Sequence, residues 1–243
     1  MAKDSPKERS VIETFIEEFV TVLRRWHADI LGGLRTGDIA RASEAATRRT
    51  IARVLDEHRD AVTAAFDTLY QDGAEAGRAA AIRRYDLDVG PRVSDRVTRE
   101  LYEYAVDASD EVGQRMTDDI ATALREAWDD GLGQPEIERI LSKEVFPQME
   151  SWEAERAART EGTAAAGRGQ VSSFQDAGVP GKRWLAEDDT RTRTSHREAD
   201  GQVVPVGASF EVDGHAARWP GDPRLPISER ANCRCGSAPV WKL

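Results

Sequence analysis

Cysteine is nearly missing from this sequence: 243 residues hold two, Cys233 and Cys235, with one arginine between them. Such a pair builds no disulfide framework of the kind that staples small secreted domains. Lysine is almost as scarce, five residues against 29 arginines. Arginine in place of lysine, with acid in excess, suits a halophile with a high-salt cytoplasm, although GC-rich coding produces the same bias. No apolar stretch has the length a membrane span needs. Residues 1–10 are charged and hold no apolar core of a secretory signal, so the reading is a product made in the cytoplasm without a membrane partner. Also missing are a glycine-rich phosphate loop, a Ser-His-Asp order and a Cys-His nucleophile arrangement, the commonest signals of nucleotide binding and covalent catalysis.

What is present is unevenly placed. Net charge is -10, yet residues 181–243 carry 10 Lys+Arg against 9 Asp+Glu, so the acidity belongs to the first 180 residues. An acidic surface of that kind is poorly suited to wrapping duplex DNA through its phosphates. Both cysteines, two of the four histidines and three of the six tryptophans lie at or beyond residue 182. Chemistry, if there is any, belongs to the stretch 184–235.

The first 180 residues read as helix. Ser5-Pro6 has the form of a helix start, with the hydroxyl as cap and proline in the first turn. Phe15, Phe19, Leu23, Trp26, Ile30 and Leu34 then recur at helical spacing until Gly37. Helices are expected over 38–56 and 57–85, with a thin stripe of small residues that allows close packing or a partner surface. Gly90-Pro91 breaks the pattern. Ser94 can cap a long helix striped by Val97, Leu101, Ala105, Ala108, Val112, Met116, Ile120, Leu124 and Trp128; steps of four drift around a helix, so burial on more than one side follows. A shorter helix opens at Gln134-Pro135, and Pro147 should end it before another begins at about 148. Beyond Gly181 the helical period disappears, and 182–186, 202–206, 209–212 and 238–241 look like strands between Gly and Pro turns. The fold class expected is α+β: a helical region over 1–90, a long-helix core over 91–180 and a small β-rich part over 181–243.

Within the dense stretch, Asp188-Asp189-Thr190 fits an Asx turn. Ser195-His196-Arg197-Glu198 has the form of a capping box, with Gly201 as terminator and His196 and Asp200 on one side. Cys233 and Cys235 alternate with Arg234, so an extended chain puts both sulfurs on one face and the guanidinium on the other. Their α-carbons would then lie about 6.6 to 6.8 Å apart, too far for an easy disulfide. His196, Cys233 and Cys235 are three soft ligands for a structural zinc, with Asp200, Asp189 or His215 as the fourth; buried reduced thiols are the alternative. A His-Asn-His nuclease site is disfavoured, because no histidine follows Asn232.

Taken in order, Ala158-Arg159-Thr160-Glu161, Trp184, Asp189, Arg191, His196, Asp200-Gly201, Phe210, Pro220-Gly221-Asp222-Pro223 and Asn232-Cys233-Arg234-Cys235 resemble the phage Mu F-like family, the minor head or head morphogenesis proteins of tailed phages. The resemblance covers roughly 94–241. It implies a virion head component present in several copies, partnered by the portal protein and by major capsid or scaffold protein, with packaged viral DNA as a further candidate. It implies no enzymatic turnover and no catalytic residues. Relatives often place a cysteine pair near Thr192 to His196 and a His-Pro before the final cysteines; here that first pair is missing and His196 stands in its region. Arg159 and Glu161 are expected to pair with the charged turn at 187–200. The alternative from another class is a metal-dependent enzyme, nuclease or transferase, centred on His196, Asp200, Cys233 and Cys235.

Overall fold

The computed structural model describes residues 6–39 and 44–243, so Ser5, the expected cap of the first helix, lies outside the described residues. Four long helices open the chain: α1 (Pro6–Thr36), α2 (Glu44–Asp56), α3 (Arg59–Tyr85) and α4 (Asp95–Asp129). The breaks fall where backbone chemistry puts them, at Gly37 with φ 83° and at the Gly90-Pro91 loop. Ser94 Oγ accepts a long 3.5 Å bond from the Val97 amide at the start of α4. The α4 stripe is buried from Val97 through Leu124, and Thr117 and Ala121 beside it are buried too, as a drifting stripe requires.

Pro147 does not end the next helix. Helical backbone continues through α5 (Gln134–Ile140), a π-helical turn (Leu141–Val145), α6 (Phe146–Gln148), a second π turn (Met149–Glu153) and α7 (Ala154–Asp176). The proline ring removes one N–H and crowds the preceding turn; a wider i→i+5 turn on each side absorbs both, and the chain need not break. α7 ends where the Val179 amide donates to Phe174 O at 3.0 Å across Gly178.

The last segment holds β1 (Gly181–Leu185), α8 (Thr194–Ala199), β2 (Val203–Pro205), β3 (Phe210–Val212), β4 (His215–Ala217), α9 (Ile227–Arg230) and β5 (Gly236–Val240). One antiparallel sheet has the order β2-β1-β5, with Lys182 opposite both Val204 and Pro239. Pro205 and Pro239 sit on its edge strands, where a missing donor costs no ladder bond. β3 and β4 form a separate hairpin turned by Asp213-Gly214, both with positive φ, the two-residue turn that matches strand twist. The α+β reading holds, with α8 and the strands close to their expected positions and β4 and α9 unforeseen.

Two compact units group segments distant in sequence. The first draws on residues up to Thr14, Asp67–Tyr104 and Arg156–Leu243; the second on Phe15–Phe66 and Ala105–Glu155. The turns at 86–91 and 178–181 both lie inside the first unit. Its helical part is held by close contact between small residues: a Cβ on Gly73 would lie 2.9 Å from Ala165 Cβ, and one on Gly77 or Gly169 would strike the backbone of Ala166 or Ala74. Small residues on α3 and α7 therefore let the helix backbones touch. In the second unit the rings of Phe15, Phe19 and Phe66 meet at 5.0 to 5.5 Å, and His27 stacks on Phe146 at 3.9 Å. Among the described residues no helix is long and apolar enough to cross a membrane.

Candidate metal centre

The β-rich segment closes around Trp184, Phe210, Val212, Ala217, Leu225, Cys233 and Cys235, all buried. Trp184 from β1 meets the His196 ring edge-on, 5.6 Å between centroids, and Phe210 at 5.3 Å. His196 sits on α8 and is 1 % exposed. Asn232, with φ 53°, turns the chain out of α9, and the following residues run in toward β5. Cys233 and Cys235 face one side while Arg234 reaches the other way, where it grips Asp189 through two bonds of 2.6 and 2.8 Å. That alternation is what an extended Cys-Arg-Cys predicts.

His196 Nδ1 lies 3.3 Å from Cys235 Sγ and 3.7 Å from Cys233 Sγ, and the three donor atoms fall within 4.8 Å of one another. Both thiols are free. A hydrogen bond from Cys233 holds the Cys235 thiol well below its ordinary pKa, with burial opposing and His196 assisting. The same bond, with burial, pushes Cys233 up. On the far side of the ring Nε2 lies 3.3 Å from Glu229 Oε2, near enough for their charges to interact but without hydrogen-bond alignment. Ser195 Oγ donates 2.7 Å to that same oxygen.

Several expected roles change. Ser195 is not a capping residue; the position before α8 is Arg193 with no side-chain cap bond, because Ser195 is committed to Glu229. Asp200 does not join His196 as a fourth ligand. α8 stops at Ala199, and Asp200 is exposed, accepting the Ala186 amide at 2.8 Å. Asp189 does make its Asx turn, accepting from the Arg191 amide at 2.9 Å, and so faces Arg234 rather than the sulfurs. His215 is exposed on β4. Glu161 does not pair with the 187–200 turn: it binds Arg230 at 2.5 Å and accepts from Tyr70 Oη at 2.7 Å, all three buried.

α7 is what holds the cysteine loop in place. Thr160 Oγ1 accepts from the Asn232 amide at 3.1 Å, and Thr163 Oγ1 donates to Cys233 O at 2.9 Å. Arg193 adds a 2.6 Å bond to Ala231 O. A second anchor is the Trp219-Pro220-Gly221-Asp222 turn, whose fully buried Asp222 accepts from the Arg218 amide and guanidinium at 2.7 to 2.8 Å. Sequence reasoning missed Glu229, Arg230 and Thr163. Of these only Arg230 carried a hint, as a charge three residues before an otherwise apolar cysteine pair.

Residues 118–238 match the family described as phage Mu protein F like protein. Over these residues the chain belongs to that family. The matched span holds α5 through α9 and the first three residues of β5, hence both Mu F-like anchors just described. The Mu F-like chain is also similar to an NAD(+)-arginine ADP-ribosyltransferase of Enterococcus faecalis, 33% identical over 156 residues, 62% of this chain and 29% of that protein. With the Bacillus subtilis protein YqbB it shares 25% identity over 256 aligned positions, covering 99% of this chain and 83% of YqbB. With the minor head protein GP7 of Bacillus phage SPP1 it shares 29% over 124 residues, 49% of this chain and 39% of GP7. It therefore spans well under half the length of the transferase and of GP7. No solved structure matches the chain.

Proposed function

We propose that this chain is a minor head protein of a tailed phage: a structural component of the virion head that associates with the portal and the inner capsid while the head assembles. The observation that carries the reading is the Mu F-like match over residues 118–238, in company with a relative named as a minor head protein. The geometry is consistent with a structural rather than a catalytic role. The donor triad is buried, and the acids beside it are committed to structural partners: Asp200 to the Ala186 amide, Asp189 to Arg234, Glu229 to Ser195. No carboxylate among these is left over to act as a general base toward a substrate at the cluster. Major capsid or scaffold protein would be the second contact, and packaged DNA the third.

Co-purification with the portal protein of the same phage tests this. The two proteins, expressed together, should co-elute in size-exclusion chromatography at low salt and at molar salt. Separate elution under both conditions contradicts the portal assignment.

A further inference from the structure

We propose that His196 Nδ1, Cys233 Sγ and Cys235 Sγ bind one zinc ion, which ties α8 to the loop leading into β5. The first ground is distance. A tetrahedral zinc with bonds of about 2.3 Å to sulfur and about 2.0 to 2.1 Å to nitrogen sets its S and N ligands about 3.6 Å apart. The observed N–S separations of 3.3 and 3.7 Å bracket that value, and with all three donors inside 4.8 Å of one another the ion fits once the two sulfurs turn toward a common centre.

The second ground is the far side of the ring. A histidine that ligates through Nδ1 carries its proton on Nε2 and presents it to an acceptor, commonly a carboxylate. Here Nε2 is buried, makes no aligned hydrogen bond, and has Glu229 Oε2 at 3.3 Å, itself held by Ser195. A small rotation of the ring would align Nε2–H on that carboxylate, which would hold the tautomer that leaves Nδ1 free to bind.

The third ground is donor chemistry. Two sulfurs and an imidazole select a soft or borderline ion such as zinc over magnesium or calcium. Three protein donors leave one corner of the tetrahedron. Asp200, Asp189 and His215 all face elsewhere, so none of them supplies it. Zinc binds both sulfurs as thiolates, and whatever thiol protons they carried go to solvent.

The test uses the full chain, stripped with a chelator, returned to micromolar zinc and assayed by elemental mass spectrometry beside the Cys233→Ser and Glu229→Gln variants. Wild type should hold about one zinc per chain; Glu229→Gln should bind about 10- to 100-fold more weakly and Cys233→Ser more weakly still. Cobalt in place of zinc should give a thiolate charge-transfer band that Cys233→Ser weakens. A folded wild-type chain that takes up no zinc, or a folded Cys233→Ser that binds as wild type does, overturns the proposal. Should Cys233→Ser fail to fold, thiol labelling of the wild type decides: zinc must slow the modification of both cysteines, and equal rates with and without zinc overturn it. None of these readouts depends on head assembly, so they stand or fall apart from the minor-head reading.

Discussion

Buried charge at single residues carries much of the first unit. Glu161 holds Arg230 and Tyr70 from one carboxylate, with all three side chains out of water. Removing one member of such a set strands the others, so Glu161→Ala should cost about 3 to 5 kcal/mol in urea denaturation. Asp222 behaves differently with pH. Burial alone would raise its carboxyl, but the Arg218 guanidinium and the amides of Arg218 and Arg224 outweigh that, and the net shift is downward. A depressed folded value means stability that is present above the unfolded pKa, about 3.9, and lost as pH falls through the folded one. Asp222→Asn should therefore lower stability by about 2 to 3 kcal/mol near neutrality, and the two urea midpoints should converge as the pH falls below the ordinary carboxylate value of about 3.9 and through the depressed one. Parallel curves with no convergence would refute the assignment. Part of this scale was legible in the sequence. The Asp189 Asx turn and the Cys-Arg-Cys alternation follow from local geometry alone, and both are present. The Glu161–Arg230 pair spans 69 residues, and no local rule says which of many arginines a buried glutamate meets.

Among elements, α7 organises the most. Its Ala158-Arg159-Thr160-Glu161 segment, legible as a motif, supports the loop at 230–233 through Thr160 and Glu161, while its Gly169 packs on α3 and its Gly167 on Trp219. Gly77→Ala puts a methyl into the Ala166 backbone and should destabilise by about 3 kcal/mol or more, since backbone cannot move aside as a flexible side chain can. Gly32→Ala in α1 meets nothing within 4 Å and should instead stabilise by about 0.5 to 1 kcal/mol through helix propensity. Thermal melts of the two variants check both signs. The long helices were readable because their stripes repeat over many turns. Pro147 misled because the local rule against proline in a helix says nothing of π turns that relieve it. The β3–β4 hairpin was missed although Asp213-Gly214 is a strong turn signal, because β4 is three residues long and largely exposed, with little pattern to read. The α8 capping box failed because Ser195 had a better long-range partner in Glu229.

At the scale of the whole molecule, sequence order and compactness part company. The first unit gathers three separated segments, so residues 181–243 depend on partners supplied by α7, among them Glu161 to Arg230, Thr160 to Asn232 and Thr163 to Cys233. Expressed alone, 181–243 should show no cooperative unfolding transition; a sharp one would contradict the dependence. The portal as partner is an expectation of the family resemblance alone, because nothing in charge or periodicity specifies one. The minor-head reading is tested most directly by incorporation. Proheads of the parent phage, assembled with this protein present and purified by gradient sedimentation, should contain it in a few copies per portal by quantitative mass spectrometry. Proheads of normal size and yield that contain none of it would contradict the account.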